Sequence, residues 1–234
     1  MGYKRTRAEL GPNPDPDIWE DVRTKDGWFR RKKRKNMKLN AVMQEHADSL
    51  KVTMPAAKRI LEKLEPWVRG LELGRVQAAI STLLKKSYFE DEKMGLRYLQ
   101  DLELQPRRPF KALVGKTPYV EVSDEVFVKI LIPSDGLKVK NSIYTEYYFE
   151  LILLWGDVTK GGKLKVDSVE SQLYERPQVS QRKTDRAGEY CELRINLPSR
   201  KQPWIALFKV GCLEGKQLAY HPRHYGMKVV AVGN

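Results

Sequence analysis

The feature that most constrains this chain is a change of hydrophobic period at Gln105-Pro106-Arg107-Arg108-Pro109. Before that break, apolar residues recur at helical spacing. Leu39, Val42, Met43, His46, Ala47 and Leu50 follow the i, i+3, i+4, i+7 pattern of a first helix. Thr53 reads as an N-cap and Pro55 as a first-turn residue of a second helix burying Ile60, Leu61 and Leu64, which Pro66 ends or kinks. A third helix follows from Val76, Ala79, Ile80, Leu83 and Leu84 and stops near Ser87. A fourth, Glu90–Leu99, is interrupted by Gly95.

After the break the pattern alternates and becomes rich in β-branched and aromatic residues. Strands are predicted at Phe110–Val114, Tyr119–Val122, Val126–Ile132, Ile143–Trp155, Leu164–Tyr174, Tyr190–Leu197, Trp204–Leu213 and Met227–Val232. Many short strands with turns at regular intervals point to an antiparallel sandwich. Phe127, Cys191, Leu193, Ile195, Leu197, Ala206, Phe208 and Val210 are expected to face inward. Aromatic residues on both faces of Tyr144–Glu150 suit a strand covered on two sides. The expected class is therefore α+β: a basic arm over 1–38, a helical domain over 39–104 and an antiparallel β-sandwich over 105–234.

Charge is distributed unevenly along those parts. Residues 1–38 carry 12 Lys/Arg against 6 Asp/Glu, 39–104 are balanced at 10 and 10, and 105–234 carry 21 against 14. The arm opens with the alternate prolines of Gly11-Pro12-Asn13-Pro14-Asp15-Pro16-Asp17, which favour extended backbone. It continues into a predicted hairpin turning at Asp26-Gly27. Trp28 and Phe29 then lead into Arg30, Arg31, Lys32, Lys33, Arg34 and Lys35. Like charges this dense repel, so the run is expected to be extended or solvated until an anion neutralises it. Cations can neutralise phosphates and aromatic rings can stack on unpaired bases. The same run suits docking on an acidic protein surface. These eight residues are the candidate docking or nucleic-acid site.

Other chemistry is thin. Gly156–Leu164 has the glycines of a phosphate loop, but Gly162 stands where lysine belongs and Leu164 brings no hydroxyl, so a glycine hairpin is expected. His221, His224 and Cys212 are weak metal candidates, since nothing around them has a familiar ligand spacing. Cys191 and Cys212 would fall on facing strands if residues 198–203 made a hairpin, and are expected to be reduced core thiols. No activated-nucleophile signature is found. Leu151–Trp155, an apolar run of five residues, is far short of the roughly 20 that span a bilayer. The sequence thus reads as a non-enzymatic structural or assembly protein of the cytoplasm or of a phage-like particle. No cofactor, membrane or small-molecule substrate is expected. The expected partners are further copies or another assembly protein, with nucleic acid as the alternative.

Overall fold

A computed structural model describes residues 6–33, 40–91, 95–139, 144–159, 161–177, 188–198, 202–215, 217–219 and 221–233. The chain divides into two compact units, Met1–Glu45 and His46–Asn234.

In the first unit, a 3₁₀ turn at Ala8–Leu10 precedes strands β1 (Trp19–Thr24) and β2 (Gly27–Lys32). The two strands pair antiparallel with Thr24 opposite Gly27, so Lys25 and Asp26 form the turn. The turn sits one residue earlier than Asp26-Gly27 because Gly27 is already in the ladder, at φ +114°, a conformation glycine alone adopts readily. Residues 6–18 are not an extended arm. The amide of Asp15 donates to Asn13 Oδ1 and that of Asp17 to Asp15 Oδ1. Asn13 Nδ2 returns a bond to the Trp19 carbonyl. These side-chain turns let the prolines punctuate a folded loop.

Helix α1 (Ala41–Lys63) starts where Asn40 Oδ1 accepts from the Met43 amide. It runs through Thr53 and Pro55 without a break, which corrects the expectation of two helices. An interior proline costs roughly 3 kcal/mol through its lost donor and ring clash, and packing offsets this. Thr53, Ala56, Ala57 and Ile60 are all buried, and Thr53 Oγ1 lies 3.0 Å from Ser81 Oγ. Helix α2 (Glu65–Val68) has Pro66 in its first turn, and α3 (Val76–Asp91) buries Val76, Ile80 and Leu84. In place of the expected helix Glu90–Leu99, α3 continues to Asp91 and a separate 3₁₀ turn spans Arg97–Leu99; residues 92–94 lie outside the described set.

Phe110–Val114 is a short helix, α4, not a strand. Pro109 and Gly115 (φ +79°) bracket it, Glu103 Oε2 accepts from the Phe110 amide, and Phe110, Leu113 and Val114 fall on one buried side. The expected strand Leu164–Tyr174 is broken into two, the other expected strands form, and all pairing among the described residues is antiparallel. A three-stranded sheet has the order β3 (Tyr119–Val122), β4 (Glu125–Leu131), β8 (Tyr190–Asn196). A six-stranded sheet is centred on β5 (Glu146–Gly156) and β9 (Trp204–Glu214). Its β6 (Leu164–Glu170) and β7 (Tyr174–Glu175) pair with β5. Its β10 (Gln217–Leu218) and β11 (Gly226–Gly233) pair with β9. With the hairpin of the first unit, the described residues hold eleven strands and four α-helices, a mixed α+β protein.

Two apolar cores lie on the two sides of the large sheet. One joins Tyr147, Phe149, Leu151, Ala206, Phe208 and Val210 to the inner residues of β4 and β8. The other joins Ile152, Leu154, Ile205 and Leu207 to Ala57, Ile60, Ile80 and Leu84 of the helices. This burial on both faces explains the near-continuous apolar runs of β5 and β9. The second core draws on residues either side of position 105, and the Leu102 and Leu104 backbones also bond to β11. Helices and strands here share one unit.

Parity fails at one expected core position. Phe127 alternates with buried Val126 and Val128 and faces away from the core, with the Arg194 guanidinium 4.3 Å from its ring centre. By contrast Phe208 stacks on Phe149 at 5.5 Å and 6° and meets Phe110 at 5.4 Å. Phe208→Ala is expected to cost about 3–5 kcal/mol in urea unfolding and Phe127→Ala about 1 kcal/mol or less; equal costs would contradict this assignment of faces.

Candidate functional site

The hairpin brings the candidate basic run into a specific frame. The register sets Asp21 opposite Arg30, Glu20 opposite Arg31 and Trp19 opposite Lys32. Arg30 is not a solvated cation. Its Nε donates to Asp21 Oδ1 at 2.8 Å, and its two terminal nitrogens donate to the Pro12 and Gly11 carbonyls at 2.9 and 2.8 Å. The Arg30 guanidinium holds the Asp21 carboxyl below the usual carboxylate range. Arg31 is ion-paired with Glu20 at 2.7 Å. The expectation that this run is extended or solvated until an anion neutralises it is therefore corrected in part: Arg30 and Arg31 do lie in an extended strand, but carboxylates of β1 supply the anions internally.

The aromatics are also engaged. The Arg7 guanidinium lies 5.3 Å from the Trp28 ring centre and Lys32 Nζ 5.6 Å from that of Trp19. One face of the hairpin thus carries Trp19, Asp21, Trp28, Arg30 and Lys32, to which Arg7 and the Gly11-Pro12 carbonyls add. Ile18, Glu20, Val22, Phe29, Arg31 and Lys33 lie on the other. On that second face Ile18 and Phe29 are 48% and 39% exposed, and the Lys33 amide donates to the Ile18 carbonyl at 2.6 Å. Arg34 and Lys35 lie outside the described residues.

The histidine and cysteine candidates are placed differently. His221 Nδ1 accepts from the Arg223 amide at the start of a 3₁₀ turn, Pro222–His224. His224 is buried, its ring centre 6.0 Å from that of His221. Burial first, then the Arg223 charge, pushes the His224 pKa down. Gln105 Nε2 ties this turn to the chain by donating to the Pro222 carbonyl at 2.7 Å. Cys212 sits on β9 opposite Tyr147, and burial pushes its thiol up to about 12. Cys191 sits on β8 opposite Ile130, in the other sheet, so the facing-strand arrangement considered from sequence does not form. Both cysteines are buried and free. Among the described residues, no group of three or more His, Cys, Asp or Glu is placed to hold a metal.

The most unusual electrostatic feature was not singled out from sequence. Glu150 and Lys209 face each other across β5 and β9, with Lys209 Nζ 3.1 Å from Glu150 Oε2 and both side chains under 10% exposed. Trp67 Nε1 donates to the other Glu150 oxygen at 2.6 Å, linking the helical layer to the sheet. Tyr148, next on the same face, has its phenol pushed up by burial and by the Glu150 charge, and Lys209 Nζ lies 5.5 Å from its ring centre. Gly211 stands opposite Tyr148, where an added Cβ would meet the ring at 2.8 Å. Glu170, opposite Glu150 on β6, has its pKa raised by burial and then by that neighbour. The signal in the sequence was one charge inside each of two apolar strands; only the register makes them a pair. With both carboxylate oxygens occupied, Glu150 acts as a strut.

No family model matches the chain, and no curated protein and no solved structure is significantly similar to it. Its chemistry must be read from its own residues.

Glu150→Gln leaves Lys209 buried without its counter-ion and is expected to destabilise the protein by about 3–5 kcal/mol. Adding Lys209→Met should recover most of that loss in the same denaturation assay. A single variant as stable as the parent would contradict the strut.

Proposed function

We propose that this chain is a non-enzymatic structural or assembly protein that docks through its basic N-terminal unit and an antiparallel sandwich formed by the two larger sheets. A phage-like or other large particle is the setting such a chain suits, in the cytoplasm or within the particle. The observation that carries this reading is the contrast between the two units. In the larger one, the central sheet is covered on both faces by cores of its own. In the smaller one, a two-stranded hairpin leaves Ile18 and Phe29 uncovered. A lone hairpin is marginal in water, and an uncovered apolar face on one gains most from a partner.

Features that would favour an enzyme are weak. A cavity of about 450 Å³ is lined by Glu72, Leu73, Gly74, Arg75, Pro106 and Arg107, without a nucleophile or imidazole. Glu72 there is paired with Arg107 at 3.5 Å. The titratable groups most displaced from their ordinary behaviour, Tyr148, Tyr174 and Cys212, are buried in packing. No helix among the described residues is long and apolar enough to cross a membrane.

The second reading is nucleic-acid binding. Its support is the net charge of +13 and the exposure of Arg31, Lys32 and Lys33. It predicts binding that falls steeply with salt and that weakens when these cations become Gln.

The test is sedimentation of the full chain in extracts of the cells that make it. The parent is expected in high-mass fractions, and an Ile18→Asp/Phe29→Asp variant near the monomer position. A parent chain that runs as a free monomer removes the assembly reading.

A further inference from the structure

We infer that the partner of the hairpin is a protein surface that presents an apolar cleft flanked by Asp and Glu side chains, and that Ile18, Val22 and Phe29 enter it with Arg31 and Lys33 at the rim. This inference rests on the docking function proposed above and names the chemistry of the partner.

Three observations favour that occupant. The first is which face is open. The other face carries Trp19 and Trp28 beneath Lys32 and Arg7, and Arg30 with one donor from each of its three nitrogens committed to Asp21, Pro12 and Gly11. What the unit leaves to a partner is aliphatic Ile18 and Val22 beside a single ring, Phe29. Aliphatic side chains gain by entering an apolar cleft and offer unpaired bases nothing to stack on.

The second observation is charge. Residues 1–45 hold 12 Lys/Arg against 7 Asp/Glu, and 46–234 hold 31 against 23. Both units are net positive. A second copy would bring like charge to the rim of the hairpin, whereas an acidic partner brings attraction and faster encounter.

The third is pre-organisation. Arg30 crosses from Asp21 to the Gly11 and Pro12 carbonyls and holds the 6–18 loop against β2. Arg30 is therefore a positioning residue and Arg31 is already paired with Glu20, while Lys33 is the contact cation. A face already fixed before docking loses less entropy on binding.

The test uses the full chain and defined probes read by fluorescence anisotropy: a short peptide alternating Glu and Leu, one alternating Glu and Gly, one alternating Lys and Leu, and a single-stranded oligonucleotide. The Glu-Leu peptide is expected to bind at least about tenfold tighter than the others, a difference of about 1.4 kcal/mol. Phe29→Ser should weaken it by about that factor, Phe29→Leu should restore most of the loss, and Lys33→Gln should weaken it with steeper loss at low salt. The indole N–H chemical shifts of Trp19 and Trp28 should be unchanged in all three variants, which reports an intact hairpin. Equal binding of the Glu-Leu and Glu-Gly peptides would overturn the apolar cleft. Preference for the oligonucleotide, or self-association abolished by Phe29→Ser, would overturn an acidic protein partner. If the chain sediments in large particles yet ignores the Glu-Leu peptide, the partner chemistry falls and the assembly function stands.

Discussion

The pairing of β5 with β9 is the interaction on which the rest of the larger unit depends. Ten residue pairs, from Glu146–Leu213 to Trp155–Trp204, run along two strands that have no solvent face over most of their length. Side chains of one parity complete the core shared with the three-stranded sheet. Those of the other parity complete the core shared with the helices. A slip of one residue would exchange every one of them between two differently shaped cores, so register is held from both sides. The Glu150–Lys209 pair adds a discriminating element. Any register that separates those two charges leaves both buried and unpaired.

How much of this was legible follows from where local signals and tertiary packing agree. Alternation placed most strands within a few residues, and the double-sided character of the strand around Tyr147 and Phe149 was readable from aromatics of both parities. Helical spacing also located α3. The errors have physical causes. At Thr53 and Pro55 the local signals favour a helix start, but burial of Thr53 against Ser81 keeps α1 continuous. Phe110–Val114 is apolar enough for a strand, yet the bracketing Pro109 and Gly115 and a carboxylate cap make it one helical turn. Phe127 resembles a core residue by composition and is excluded by parity alone. Cys191 and Cys212 looked like neighbours because strands close in sequence often pair, whereas β8 and β9 belong to different sheets.

The basic run shows the same lesson for function. Six successive cations suggest an open polyelectrolyte when read along the chain. The antiparallel register of the hairpin brings Glu20 and Asp21, roughly ten residues earlier, directly against Arg31 and Arg30. Read across the strands, the segment is partly neutralised: Arg30 and Arg31 each face a carboxylate, and Lys32 faces Trp19. The candidate residues Trp28 and Arg30 thereby move from contact to support, and Ile18 and Val22, absent from the linear reading, join Phe29. This redistribution separates a stacking surface from an apolar one with a charged rim.

The central claim is a division of labour between a body stabilised on both sides of one sheet and a small unit held by one hairpin with its local contacts and, when docked, by a partner. Native-state hydrogen exchange on the isolated protein measures this directly, because opening free energies report which segments unfold together. Amides of β5 and β9 are expected to exchange slowest, at the level of global unfolding, while amides of β1 and β2 exchange much faster and independently of them. Protection of the hairpin equal to that of β5 and β9 would contradict the account.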